Sequence, residues 1–349
     1  METREKKAAG GPLNWFLRNW KTNPLFSTGI ALLMMVVLQA VAISINSSFA
    51  SPLDWLSKWF SNWLNILRGN AAIGIVALGM TFVIISGGID LSVGSLYVAS
   101  GAFCLVLLDT GAVGWFNAIG LTGVPAILLA VILTAAFATL LGEGNGLLIS
   151  YGKMPPFIAT LGAMQILRSV TQYCMRGQNV ALPKEFLKIS TATIGGQTLL
   201  PIFYWLVAAV VMYIVSKHTT FGRHIFAVGS NERTTRLSGV NVRSVKRRVY
   251  ALMGLLSGIA AIIQLARIGS LDYASGGSGY EMDAIAAVVV GGTSMSGGKG
   301  SIAGTVIGTL IVAVMNNLLN LIGVDPYLNA AFKGAIIIFA VLLQRKENN

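Results

Sequence analysis

The chain has 349 residues, 54% hydrophobic and only 11% charged, with a formal net charge of +12. A soluble globular domain carries roughly 25% charged residues, so this composition excludes an ordinary soluble enzyme or binding domain. A mean hydropathy of +0.72 and 40 glycines fit a helical membrane protein, in which small residues let helices approach closely.

A membrane span needs about 20 mostly apolar residues. On that measure residues 1–24 form a cytoplasmic segment, 25–344 a single transmembrane domain and 345–349 a cytoplasmic tail. The first apolar run, 25–45, follows a basic, tryptophan-containing stretch and is long enough to stay in the membrane rather than be cleaved as a signal. Next, Trp55, Trp59 and Trp63 recur every four residues among Asp54, Lys58, Ser61, Asn62 and Asn65. This predicts an amphipathic helix over 54–67, lying among lipid headgroups or presenting a docking surface to an extracytoplasmic partner. Further spans are predicted at 68–86, 91–108, 123–142, 156–175 and 198–216. A polar, basic loop fills 217–248, and the last spans are 249–267, 282–296, 301–321 and 327–344. The expected fold is therefore an all-α polytopic membrane protein of about ten transmembrane helices, some of them broken.

Charge sets the orientation. Of the 25 Lys and Arg, 17 fall on the segments inside the cell if the N-terminus is cytoplasmic, six fall outside, and Arg168 and Lys333 lie within spans. That asymmetry predicts an N-in/C-in topology. The basic balance thus reports topology, with no nucleic-acid partner expected.

Two polar interruptions stand out. Ser86-Gly-Gly-Ile-Asp-Leu-Ser-Val-Gly-Ser95 and Ser296-Gly-Gly-Lys-Gly-Ser-Ile-Ala-Gly-Thr305 share Ser-Gly-Gly, five residues, Gly, then Ser or Thr. Non-helical backbone at membrane depth is tolerated only where protein buries it or where it lines a wet cavity. One break in each half of the chain points to a transport pathway, with Gly87, Gly88, Gly297 and Gly298 as the structural breaks. Asp90 reads either as a cap on the next helix or as a gating group, since an ionisable residue at membrane depth is a functional candidate. Ser92 and Ser95 have hydroxyls for a polar solute or for a neighbouring helix. Asn316 and Asn320 share a helix face, with Asn317 beside them, and read as pathway amides or as an interhelical patch. Glu281 and Asp283 open a span and are expected to pair with Arg267.

In the inner loop, Asn231 is placed to cap a short helix, Glu232 to favour its first turn and Gly239 to stop it. Lys299 in Gly-Gly-Lys-Gly fails the phosphate-loop pattern, because the residue five before Gly298 is Thr293 where a glycine is required, and Gly300 follows the lysine where Ser or Thr is required. No catalytic dyad, metal-ligand cluster or cofactor motif stands out. Cys104 and Cys174 lie in apolar segments, and His218 and His224 read as surface residues.

The loop around 226–242 resembles the coupling loop of the permease subunits of bacterial ATP-binding-cassette importers, in particular the ribose-type monosaccharide group. Its motifs are Gly79-Met-Thr-Phe-Val-Ile-Ile-Ser-Gly-Gly-Ile-Asp-Leu-Ser-Val-Gly-Ser95, Pro155-Pro-Phe-Ile-Ala-Thr-Leu-Gly162, Arg267-Ile-Gly-Ser270 with Gly279-Tyr-Glu-Met-Asp-Ala-Ile-Ala-Ala287, and Gly291-Gly-Thr-Ser-Met-Ser-Gly-Gly-Lys-Gly300 with Gly304-Thr-Val-Ile-Gly308. They occur in family order over 65–344. The resemblance implies a multi-spanning, non-enzymatic permease that pairs with a second copy, two cytoplasmic ATPase domains on its coupling loops and an extracytoplasmic sugar-binding protein. It implies ATPase contacts at Asn231, Glu232, Arg233, Leu237, Ser238 and Gly239, and a pathway or gate using Asp90, Ser92, Ser95, Asp283, Asn316 and Asn320. Thr234 and Thr235 stand where the family usually has two alanines, and Glu143-Gly144 where it is usually apolar. A permease for nucleosides or branched-chain amino acids, an ion-coupled secondary transporter and a non-transporting scaffold are the alternative readings.

Overall fold

A computed structural model describes residues 24–338 apart from 47, 112, 179, 329, 336 and 337; these are helical and loop residues with no strand. The amino-terminal segment, the tail and the end of the last predicted span lie outside the described residues. In chain order the helices are α1 (Pro24–Asn46), α2 (Pro52–Ile85), α3 (Val93–Leu108), α4 (Trp115–Ala118), α5 (Gly123–Ser150), α6 (Pro156–Met175), α7 (Lys184–Thr191), α8 (Leu200–His218), α9 (Thr220–Ser230), α10 (Glu232–Leu237), α11 (Val242–Ile268), α12 (Tyr280–Val290) and α13 (Ile302–Leu321). Residues 330–335 are also helical.

Among the described residues, six helices, α1, α2, α5, α8, α11 and α13, are long and apolar enough to cross a membrane. α3 is apolar but has 16 residues. α6 has the predicted bounds, and its Gln165, Arg168 and Gln172 make it less apolar. The predicted eighth span, 282–296, is α12, which has 11 residues and stops where Gly291 and Gly292 turn the chain.

Two helices form the centre. In α2 and α11, 78% of the apolar window is buried, against 22% in α1 and α8. Leu33, Val37 and Val41 on α1 and Phe203, Leu206 and Val210 on α8 face outward at helical spacing. Water would not tolerate apolar surfaces of this extent, whereas acyl chains solvate them. At the centre, α5 and α11 meet with almost no side chain between them. A methyl group on Gly142 would overlap the Tyr250 carbonyl and lie 2.8 Å from Gly254 Cα; on Gly146 it would lie 2.7 Å from the Arg247 carbonyl. Without a hydrophobic drive between helices in lipid, such close approach is what holds them. The polar Glu143 beside this seam is explained by its pair with Arg247 at 3.4 Å.

The predicted separate helix at 54–67 is corrected. Ser51 caps α2, its hydroxyl accepting from Asp54 N–H at 3.2 Å, and the helix runs unbroken for 34 residues. Its length is about 51 Å, against roughly 30 Å of hydrocarbon. Arg68, Gly69 and Asn70 interrupt the hydropathy but not the backbone, since none of them removes an N–H as proline would. Trp55 and Trp59 stack at 6.1 Å, Trp59 and Trp63 meet edge-on at 6.2 Å, and the Trp55 indole donates to Ser44 of α1 at 2.9 Å. The stripe therefore turns toward α1 at its amino-terminal end.

Amides tie α1 to the bundle. Gln39, fully buried, and Asn62 both donate to the Asn317 carbonyl oxygen at 3.0 Å, and Asn317 donates back to Asn62 at 3.2 Å. Asn317→Ala leaves two amides without this partner. Polar contacts between membrane helices are worth roughly 0.6–2 kcal/mol, so the variant should unfold earlier in detergent by about that amount. An unchanged melting curve would show that this amide cluster does not hold α1.

Candidate translocation and coupling sites

The first break begins as a helix stop. Gly87 has φ +82°, its N–H donates to Ile84 and that of Gly88 to Val83, the paired bonds of a Schellman cap. Asp90, fully buried, accepts from the Ser92 N–H at 2.8 Å and the Ser92 hydroxyl at 2.6 Å. Its carboxylate thus closes the turn two residues ahead, and Ser92, the N-cap of α3, makes no side-chain cap bond. One carboxylate oxygen thus accepts within the break, at the residue where α3 begins, and not from the first turn of that helix. Asn145 of α5 donates to the Ser92 hydroxyl at 2.8 Å, and Tyr250 of α11 donates to the Ile89 carbonyl at 3.3 Å. The second carboxylate oxygen of Asp90 and the Ser95 hydroxyl are buried with no hydrogen-bond partner.

The second break uses the same stop at a different register. α12 ends with Gly292 at φ +86°, whose N–H donates to Val289 while that of Thr293 donates to Val288. The structural counterpart of Gly87 is therefore Gly292, although sequence matching aligns Gly87 with Gly297. Gly297 and Gly298, at φ +81° and +71°, form a further turn within the break, and Ser301 caps α13 through Gly304 N–H at 3.3 Å. Lys299 is exposed beside this turn.

Residues 269–279 fold back along α3. Leu271 lies against Gly101, and a methyl on Gly94 would overlap the Gly277 carbonyl and lie 3.0 Å from the Glu281 carboxylate. Arg168 and Gln172 of α6 hold this segment by its carbonyls, on Gly276 at 2.6 Å and Ala274 at 3.0 Å. The Tyr97 and Tyr280 rings are 4.9 Å apart. The first break thus gathers Asp90, Ser92 and Ser95 with Asn145, Glu281 and Arg168. Asn145 was missed by sequence reasoning, because its neighbours lie more than 50 positions away.

The other predicted pathway residues sit elsewhere. Asn316 is half-buried and Asn320 exposed on α13, near the amide cluster formed by Asn317. Asp283 pairs with Lys333 at 2.7 Å, while Arg267 donates to Gln264 at 3.1 Å, so the expected pairing of Asp283 with Arg267 is corrected. The reason is topological: the 269–279 insertion separates the end of α11 from α12. Lys333→Met should leave the Asp283 charge stranded and cost roughly 3 kcal/mol, the lower end of the buried-pair range because Lys333 keeps 22% of its surface. Adding Asp283→Asn should recover most of it; the melting temperatures of the four proteins measure this, and strictly additive losses would reject the pair.

The polar loop 217–248 contains more helix than expected. Thr219 caps α9 through Gly222 N–H, and α9 occupies 220–230, a segment that sequence reading left as loop. α10 has the predicted bounds. Asn231 accepts from Thr234 N–H at 2.9 Å, and Gly239, at φ +83°, stops the helix. Thr235 returns its hydroxyl to the Asn231 carbonyl at 2.8 Å. Glu232 binds Lys246 of α11 at 2.6 Å and Arg236 at 3.0 Å, which pins this short helix to α11. The Lys246 hydrogen bond holds the Glu232 carboxyl below its ordinary value of 4.5. The bridge is therefore intact at neutral pH and opens only in acid, as pH falls through that lowered value. Leu237 is 82% exposed at the end of α10. Arg233, Ser238 and Gly239 are exposed beside it.

Buried central helices, apolar outer faces and two glycine breaks define a polytopic helical membrane protein. The model of a family described as "Branched-chain amino acid transport system / permease component" matches residues 62–341. The chain is 39% identical over 322 residues to the ribose import permease protein RbsC of Bacillus subtilis, covering 91% of this chain and 92% of the relative. It is 34% identical to the galactose/methyl galactoside import permease protein MglC of Escherichia coli, over 89% of this chain and 91% of the relative. It is 31% identical to the xylose transport system permease protein XylH of Haemophilus influenzae, over 88% and 95% respectively. The chain belongs to this permease family. No solved structure matches it.

Proposed function

We infer that the chain is the transmembrane permease subunit of an ATP-driven, binding-protein-dependent importer of a monosaccharide in the bacterial inner membrane. The single observation that carries this reading is the match over nearly the whole chain to import permeases named for ribose, galactose and xylose. The chain supplies the conduit and no catalytic group. A separate cytoplasmic ATPase docks on α10, whose outward Leu237 and basic Arg233 and Arg236 face away from the bundle. An extracytoplasmic sugar-binding protein delivers the substrate, and a second copy of the chain completes the pore.

In this reading the chain crosses the membrane about ten times, N-in and C-in. Residues 1–24 and 345–349 are cytoplasmic, and α9, α10 and the start of α11 stand at the inner surface. The substrate passes the first break, where Ser95, Glu281 and Arg168 supply acceptors and donors for hydroxyls. The binding is weak, because a conduit that binds tightly cannot release. Asp283, Asn316 and Asn320 line the route or hold its outer end.

Tagged protein should co-purify from native membranes with an ATPase and a binding protein. Reconstituted with both, it should take up a labelled pentose or hexose only with ATP. Uptake driven by an ion gradient without ATP would replace this reading with a secondary transporter. Uptake of a branched-chain amino acid or nucleoside in preference to sugars would keep the conduit and change its cargo.

A further inference from the structure

Three stretches of backbone meet at one point, and two of them are the glycine breaks. The Gly298 N–H donates to the Ile85 carbonyl at 2.9 Å. That carbonyl is one of the last four of α2, which have no partner within the helix. Gly229, on the last turn of α9, lies against both: a methyl there would overlap the Ile85 carbonyl and lie 2.6 Å from the Gly298 nitrogen. A methyl on Gly297 would lie 3.0 Å from the Gly229 carbonyl oxygen and 3.3 Å from Gly87 Cα; on Gly298 it would lie 2.8 Å from Ser230 Cα. Asn231, the cap of α10, follows directly. One turn deeper, the Thr81 and Thr305 hydroxyls bond at 2.6 Å and join α2 to α13.

We propose that this knot of main chain transmits the power stroke: the end of α9 and the two breaks move as one body, with Gly229 and Gly298 as positioning residues. A side-chain linkage can absorb displacement by changing rotamer. Main chain packed directly on main chain, with no intervening atoms to rearrange, cannot. A push on α10 therefore reaches both breaks at once. The chemistry at the contact requires glycine, since any Cβ on the α9 side would drive the strands apart. The proposal rests on α10 being the ATPase dock.

The test uses the full chain reconstituted with its ATPase and binding protein. Gly229→Ala should assemble with the ATPase as the parent does, while sugar moved per ATP hydrolysed falls about tenfold or more, the scale of a lost coupling energy. An unchanged ratio in an assembled variant overturns the proposal. Failure of the docking reading has a different signature: Glu232→Ala with Leu237→Ala would leave ATPase binding intact.

Should Gly229→Ala not assemble, a cross-link decides. An added Cβ at Gly300 lies 2.8 Å from the Ile85 side chain and 2.8 Å from Thr293 Cγ2; shortening Ile85 relieves the first contact and Thr293→Ser the second. Ile85→Cys with Gly300→Cys, in a chain carrying Thr293→Ser, Cys104→Ala and Cys174→Ser, should form a disulfide across the two breaks, with the same uptake oxidised as reduced. Uptake that is lost on oxidation and restored by reductant would show that the breaks slide past each other, and overturns the single-body proposal. Failure of the bridge to form overturns the contact itself.

Discussion

Replacing Glu232 and Leu237 together by alanine is expected to abolish ATP-driven uptake while leaving the membrane bundle folded. Leu237 is 82% exposed and contributes nothing to the core, so its removal costs the isolated chain little. Buried against a partner, a leucine contributes about 1.5–3 kcal/mol, or roughly 10–150-fold in affinity. Glu232 adds a second loss, because without it Lys246 and Arg236 no longer hold the six-residue helix in place. A helix this short has no stability of its own and depends on such ties. The measurement is uptake and ATPase retention in reconstituted vesicles, with thermal unfolding as the folding control. Uptake at the parent rate would remove α10 from the coupling route.

The second large effect is expected at the α5–α11 seam. Gly142→Ala places a methyl on the Tyr250 carbonyl and 2.8 Å from Gly254 Cα, with backbone on every side to resist it. Overpacking typically costs about 1–3 kcal/mol where side chains can move aside, and this contact has none to move. We expect a loss of about 3 kcal/mol or more, seen as little folded protein on size-exclusion chromatography. Gly144, two residues on in the same helix, has nothing within 4 Å. There Gly144→Ala should be neutral or stabilising by up to about 1 kcal/mol, through helix propensity alone. Equal behaviour of the two variants would show that the seam is looser than its geometry.

Local features were readable in the sequence because their causes are local. Asn231 and Gly239 bounded α10 correctly, since a cap and a left-handed stop act within a few residues. The start of α6, read from apolar length alone, also has a local cause, since Pro156 at the first helical position has no N–H to leave unpaired. The glycine breaks were found as interruptions, but their register was not: Ser-Gly-Gly stops α2 directly and begins six residues past the end of α12. α2 was cut in two because hydropathy changes at Arg68 while the hydrogen-bond ladder does not. Partnerships were out of reach. Asp283 with Lys333, Ser92 with Asn145, and Gln39 with Asn317 join residues far apart in the chain, and a single sequence has no record of such pairings.

The amide clamp on α1 also dictates an order of events at the ribosome. Gln39 enters the bilayer with the first helix, yet its partner Asn317 is made 278 residues later. At roughly 5–20 residues per second that delay is about 15–55 s. During it, a glutamine at membrane depth must bond something else, and Asn62, which shares the same Asn317 oxygen in the finished molecule, is the first amide to emerge on the next helix. A provisional pairing of α1 with α2 would then be exchanged for the final three-way contact when α13 arrives. α1 is thus inserted well before the helix that fastens it.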